Sequence, residues 1–421
     1  MVGRPQDIFP LLKSFHLGDI SAGIAIITYF LGTKKVGQNV RSLREAKLFM
    51  LFCAISALCI PFGYYPREGL FFLWDFFIKF GIYLYLFAKL ITDEEHFQGI
   101  INTLILCGLI MSLAAMSVMN AGVRTKILGS AYDPNDLALL IVTILPISIT
   151  QGLSTPNRFW KIICFGGSML FVITLIGTQS RGGFLGLTVA TISFFFTRTP
   201  GFSKRKLLFI SIGLAITFAI YVGVEYKERL QTIFEDVSSI EAGSGRVLIW
   251  KRAIYMAKDN PLLGVGPTAF ATAYGSYLSN DKFTGELALK EDSWAPYTWK
   301  AVHNSFLQVL VELGIPGFLV FLAIIIQCFR NLRQIQTLAS ERWQIALSFQ
   351  AIGLKVALTG FIICAFFLTH AYSPFIYIFL FLSGAMARFC ENTHSDGKSD
   401  IPESYSVRAT ASEHNSIQQT T

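Results

Sequence analysis

The chain is 421 residues long, with 53% hydrophobic residues, only 15% charged residues, 38 Phe and a formal charge of +8, and its mean hydropathy is +0.52. That balance excludes an ordinary water-soluble domain, whose core needs less apolar surface and whose exterior needs more charge. In a chain written for lipid, the placement of Lys and Arg reports orientation, so the positive balance does not point to nucleic acid.

A helix needs about 20 apolar residues to cross the hydrocarbon layer, because every backbone amide must find its partner within the segment. Eleven runs meet or approach that length: 17–32, 48–62, 70–88, 98–120, 136–152, 159–177, 183–197, 207–224, 304–329, 345–368 and 371–387. The expected fold is all-α and polytopic, with about 11–12 transmembrane helices. The first, second and seventh runs are short, so the N-terminal region is where a helix would be missed or re-entrant. No n-region, h-region and small-residue cleavage site occur in the order of a secretory signal.

Lys34, Lys35, Arg41, Arg44 and Lys47 follow the first run, Arg158 and Lys161 the fifth, Arg198, Lys204, Arg205 and Lys206 the seventh, and Arg330, Arg333 and Arg342 the ninth. The positive-inside rule assigns these loops to the cytoplasm. The YYPREG turn, the 121–135 loop, the SRGG turn and the long 225–303 segment then lie outside. Eleven spans put the N-terminus outside as well, against the sign of Arg4 and Lys13; one further element before the first run would resolve this. The expected organisation is a transmembrane domain over 1–390, including the outer loop 225–303, and a disordered cytoplasmic tail over 391–421.

All seven cysteines sit in or beside apolar runs, which suggests neither a disulfide framework nor a thiolate metal site. No HExxH, EF-hand loop or paired histidines at helical spacing appear, so neither a metal nor a cofactor is expected. No fixed repeat and no matching pair of interrupted helices points to an inverted-repeat transporter.

Three positions on the outer side carry chemistry. Arg181 sits in LIGTQSRGGFLGL, where Gly182 and Gly183 permit close backbone approach at the headgroup level. Its guanidinium suits phosphate oxygens, and also suits an arginine that snorkels to lipid phosphates. Arg246 opens a helix that Ser244 can cap and that Asn260 and Pro261 end. Free amides of a first turn attract anions. Positions 246, 250, 254 and 257 share one face, expected to lie against the membrane or the helix ends, with Lys251 and Arg252 turned to solvent or headgroups. His303, in TWKAVHNSFLQV, stands where the outer loop enters the ninth run; its imidazole can accept a proton, or simply sit at the interface.

Supporting candidates surround these. Asn304 can cap the ninth helix or orient its neighbour, and Glu312, an ionisable group within the membrane, requires a partner. Counted along one helix, Glu312 lies about 13 Å deeper than His303 and about half a turn away, so a structural hydrogen bond is expected of it before chemistry. Arg124 offers a charge for an anionic head group, or a loop ion pair. Asp133, Pro134 and Asn135 make a tight turn, with Asp136 near the start of the fifth run.

GTQSRGG, GSGRVLIWKRA, NPLLGVGPTAF and HNSFLQVLVELGIPGF, in this order around a large outer loop, resemble the O-antigen ligase and O-antigen polymerase superfamily. The resemblance runs from about 170 to 325, with GSAYDPNDLALLI upstream in the same style. It implies a membrane-embedded glycosyltransferase of the GT-C type in the bacterial inner membrane, acting on the periplasmic face. The implied donor is a glycan on undecaprenyl pyrophosphate, and the acceptor a hydroxyl of lipid A core, another repeat unit or a protein, with lipid A core favoured. The family's two arginines fall on Arg181 and Arg246, which would bind pyrophosphate, and its essential histidine falls on His303, as base or as a group that positions the acceptor. Direct attack would invert the anomeric centre without metal. A repeat-unit polymerase, a protein ligase and, outside enzymes, a transporter of small anions or glycolipids are the competing expectations; a polar path across the membrane would mark the last.

Overall fold

The computed structural model describes residues 43–91, 93–117, 133–197, 245–280, 282–284, 300–341 and 345–396, with isolated positions 20, 23 and 27. Most of the 17–32 run, the 207–224 run, Arg124, Ser244 and everything beyond 396 lie outside the described residues.

Within them the secondary structure is helical: α1 (Arg44–Cys59, continued by a 3-10 turn Ile60–Phe62), α2 (Pro66–Leu90), α3 (Glu94–Met116), α4 (Pro134–Ser154), α5 (Arg158–Thr178), α6 (Arg181–Phe195), α7 (Gly245–Asp259), α8 (Phe270–Ser279), α9 (Ser305–Glu341), α10 (Ile345–Ala365) and α11 (Pro374–Asp396). Among the described residues eight helices are long and apolar enough to cross a membrane, and α6 is a shorter apolar helix. Together they match the second to seventh and ninth to eleventh expected runs. The last helix continues six residues beyond Cys390, to Asp396, into the polar stretch.

Helix starts follow local chemistry. Asp93, Asp133, Asn157 and Ser180 each accept a hydrogen bond from an amide of the first turn, and Pro66 begins α2 where its missing N–H costs nothing. α4 is the centre of the bundle: every residue from Leu137 to Ser148 is buried, as expected of a helix apolar on all sides. α10 packs along both α4 and α6, and α5 along α4. Glycines let these backbones approach: a Cβ at Gly353 would overlap Thr150, one at Gly360 would press on Val142, and one at Gly186 would overlap Cys364.

The alternation of helices brings the 60–65 turn, Asp133, the 179–180 turn, the start of α9 and the 366–373 turn to one end, where α7 and α8 pack. We call this the loop end. α7, α8, Phe283 and Val302 form a small apolar core there, closed beneath by Val311 of α9.

α9 is broken at Gly314, whose φ of 65° and ψ of −171° are outside the helical range. The break exchanges hydrogen bonds with the loop. Pro316 has no N–H to offer the carbonyl of Glu312, and the amide of Gly266 supplies one at 3.0 Å. Ile315 N–H donates to Pro261 O at 2.8 Å, and the Val311 carbonyl it leaves accepts from Val265 N at 2.8 Å. NPLLGVGP is thus fastened backbone to backbone onto ELGIPG, leaving few polar groups orphaned where the helix opens.

Candidate functional site

His303 lies one residue before Asn304, the cap of α9, and has a left-handed φ of 49°. A non-glycine residue keeps such a backbone only where its surroundings hold it, and here they do. The carbonyl of Val302 accepts from Trp250 Nε1 at 2.9 Å. The amide of His303 donates to Thr369 Oγ1 at 3.0 Å. Asn304 Oδ1 caps α9, accepting from the amides of Phe306 and Leu307 at 2.9 and 3.0 Å. His303 therefore stands outside the helix, and its expected position half a turn round the same helix from Glu312 does not apply.

Arg246 lies in the first turn of α7 and is half-buried. One turn on, Trp250 sets its ring 5.6 Å from Phe366 and 6.3 Å from Phe367, so α7 docks onto the turn that also holds His303. Of the expected face Trp250 and Ala257 pack inward, whereas Ile254 is exposed, and Ile249, Arg252, Ala253 and Met256 are buried beside them. Arg252 is a further correction: it donates to Tyr274 Oη at 2.5 Å and lies 5.0 Å from the ring centre of Phe283. Aromatic faces take the place of solvent around its charge.

Arg181 is the exposed first residue of α6. Ser180 accepts from Gly183 N at 3.2 Å and donates to Asn135 Oδ1 at 2.9 Å, tying the start of α6 to the start of α4. Asp133 caps α4, accepting from the amides of Asn135 and Asp136 at 2.6 and 2.9 Å. Asp136 Oδ1 in turn sits 2.8 Å from Nε2 of His370.

These charges feel one another. Burial and the Arg246 guanidinium push the His303 imidazole below the ordinary histidine value, the Asp133 and Asp136 carboxylates oppose that shift, and Lys300 adds to it. Arg246 is lowered by burial and by Arg181, with Asp133 opposing. Arg246 thus feels Arg181 and acts on His303, while Asp133 acts on both Arg246 and His303 and Asp136 on His303.

Glu312 finds its partners beneath this site. Its carboxylate, 2% exposed, accepts from the amides of Thr268 and Phe270 at 3.1 and 3.3 Å and from the Tyr372 hydroxyl at 2.7 Å. It fastens the end of the 260–270 segment to the 366–373 turn. Among the described residues no group of three or more His, Cys, Asp or Glu side chains is arranged to hold a metal ion. His370 is absent from the expected set: its partner is 234 positions away, and THAYSP carries no local sign of the pairing. Guanidinium groups at the mouth of an apolar bundle, with an imidazole and carboxylates beside them, can receive a phosphate-bearing ligand and move a proton there.

Residues 166–322 match the family model described as O-Antigen ligase, a stretch that includes Arg181, Arg246, His303 and Glu312. The chain is 27% identical over 143 residues to the exopolysaccharide production protein ExoQ of Rhizobium meliloti, covering 33% of this chain and 30% of that protein. It is 24% identical over 211 residues to a putative polysaccharide ligase of Rickettsia felis, covering 50% of this chain and 48% of the relative. The chain thus spans less than half the length of either relative.

Proposed function

We propose, for a chain that belongs by distant homology to the O-antigen ligase and polysaccharide ligase family, that it transfers a glycan en bloc from undecaprenyl pyrophosphate to an acceptor hydroxyl. The observation that carries this reading is the gathering of Arg181, Arg246 and His303 at the loop end, where residues far apart in sequence come within electrostatic reach. On this reading the loop end faces the periplasm of the bacterial inner membrane, and lipid A core is the favoured acceptor.

The chemistry follows from what leaves. The acceptor oxygen attacks the anomeric carbon, the bond from that carbon to the phosphate oxygen breaks, and its electron pair departs on the pyrophosphate. Arg181 and Arg246 meet that growing charge, Arg246 from a half-buried position where less water screens it. His303 takes the hydroxyl proton; as the neutral imidazole favoured by burial and by the Arg246 guanidinium it has a lone pair free to do so. The route is a single displacement that inverts the anomeric centre and needs no metal. A relative named for exopolysaccharide production keeps the repeat-unit polymerase as the second reading, with the same donor and a lipid-linked glycan as acceptor.

The test is transfer by the purified full chain in nanodiscs, with an undecaprenyl pyrophosphate glycan and lipid A core, a second lipid-linked glycan or a pilin-like protein as acceptor. Product on one acceptor, lost in His303→Ala with the melting temperature retained, supports the reading and names the subtype. No product on any acceptor, with unchanged cell-surface glycans after gene deletion, overturns it.

A further inference from the structure

An imidazole used as a base must become an imidazolium, and in this site that means adding a positive charge beside Arg246, with Arg181 and Lys300 close by. Those cations suit a pyrophosphate and oppose the protonated histidine. A negative charge beside His303 would offset them where the imidazolium forms. Two carboxylates are within reach, Asp133 and Asp136. Asp133 is committed to the amides at the start of α4. Asp136 is held differently, by the side chain of His370 at 2.8 Å.

The same histidine belongs to the turn that grips His303. The amide of His370 donates to Ser305 Oγ at 2.8 Å, and Ser305 Oγ donates to Leu368 O at 2.7 Å. One residue before His370, Thr369 accepts from the amide of His303. The 368–370 turn is therefore laced on one side to the backbone around His303 and on the other, through the His370 ring, to the carboxylate of Asp136. α4, the start of α9 and the turn before α11 are joined through these contacts.

We propose that the Asp136–His370 pair is the positioning device for His303. Its hydrogen bond fixes the turn that holds His303 in its left-handed conformation, and it stations a carboxylate where the imidazolium forms. This rests on the transferase reading for its chemical purpose. In the step itself the hydroxyl proton passes to His303, the new bond forms between the acceptor oxygen and the anomeric carbon, and the pyrophosphate leaves with its electron pair; the proton then passes to water. Asp136 and His370 touch none of the reacting atoms and act through His303.

The sign is fixed by charge. Removing the Asp136 charge leaves His303 facing Arg246 and Lys300 with Asp133 alone opposing them, so its protonation must move to lower pH. The acidic limb of the transfer rate moves down with it, and kcat falls roughly 10- to 100-fold because a weaker base accepts the proton less readily. His370→Gln keeps an amide donor for Asp136 and should recover most of the rate, whereas His370→Leu should behave like Asp136→Asn in rate.

Two measurements on the full chain in nanodiscs test this. The first is the pH profile of transfer for wild type, Asp136→Asn, His370→Gln and His370→Leu. The second needs no glycan: the pH dependence of His303 modification by diethyl pyrocarbonate, followed by mass spectrometry. A half-point for His303 modification that falls in Asp136→Asn, with rescue of rate by Gln and not Leu at position 370, is the expected result. A His303 half-point unmoved in Asp136→Asn overturns the inference, whether or not transfer is observed. Reduced activity with the acidic limb in place, equal in Gln and Leu, also overturns it by reducing the pair to a fold contact. Absence of transfer in wild type with a shifted half-point would fail the transferase reading while leaving the placement of Asp136 at His303 standing.

Discussion

At the residue scale the two arginines differ in what surrounds them. Arg246 is half-buried between the start of α7 and the His303 segment, whereas Arg181 is exposed at the start of α6. A charge with less water around it acts more strongly on a developing anion, so Arg246 should matter more to turnover and Arg181 more to capture of the donor. Arg246→Ala is expected to lower kcat by about 100- to 1,000-fold, while Arg181→Ala raises the KM for the donor more than it lowers kcat. Lys at either position keeps the charge and loses the planar fork, and should restore only part of the loss. Steady-state transfer against donor concentration separates these outcomes; equal effects on kcat at both positions would contradict the assignment. Arg181, Arg246 and His303 stand out as candidates in the sequence because each lies in a local pattern of glycine, cap or helix start. Arg252 and His370 were not, since the first is defined by Tyr274 and Phe283 and the second by Asp136, contacts that no neighbouring residue announces.

At the scale of elements, the decisive feature is the break in α9. Gly314 takes a left-handed φ, and a Cβ placed there would meet the carbonyl of Leu262 at 2.5 Å. Gly264, on the other strand of this contact, has a φ of 64° and lies directly against the backbone of Glu312. Any side chain at Gly314 costs about 1–2 kcal/mol for the left-handed backbone alone, and the overlap forces the two segments apart. Gly314→Ala is therefore expected to lower the melting temperature in detergent and to abolish transfer, because the displaced segment carries the Thr268 and Phe270 amides that bind Glu312. Retained stability with normal activity would show that the fastening is dispensable. The sequence announces both glycines and Pro316, and it announces a continuous apolar run through them. That the run opens, and that GVGP fills the opening, depends on hydrogen bonds exchanged between segments some fifty residues apart, such as Val265 to Val311.

At the scale of the whole molecule, polar groups are clustered at both ends of an apolar bundle. Opposite the loop end, Glu45 at the start of α1 accepts from Arg388 of α11 at 3.0 Å and from Asn331 of α9 at 2.9 Å, and Asn331 also accepts from Gln327 at 2.7 Å. Gly384 leaves room for the Glu45 carboxyl. This cluster joins the first described helix to the last; Glu45, Gln327 and Asn331 are buried and Arg388 is half-buried. Removing one member strands the other charge, at a cost of about 3–5 kcal/mol, whereas replacing both with apolar residues of similar volume is about neutral. Glu45→Leu should accordingly destabilise the protein more than the Glu45→Leu, Arg388→Met double replacement, as read by thermal unfolding in detergent. Additive losses would mean that the two charges do not act as a pair.

Composition and the spacing of apolar runs alone determined that the chain is helical and built for a membrane, because the need to pair every backbone amide in lipid leaves a long apolar run little other choice. Glycines, caps and charges, which act over a few residues, also single out Arg181 in its turn and Arg246 and His303 in the 225–303 segment as candidates. Tertiary structure decided which of these meet. Arg246 comes within electrostatic reach of Arg181 and of His303 because the segments that carry them meet at one end of the bundle, and Asp136 joins His370 across 234 positions. Such meetings depend on how apolar faces and glycine contacts stack the helices, and packing of that kind is a property of pairs of segments, which no single stretch of sequence contains.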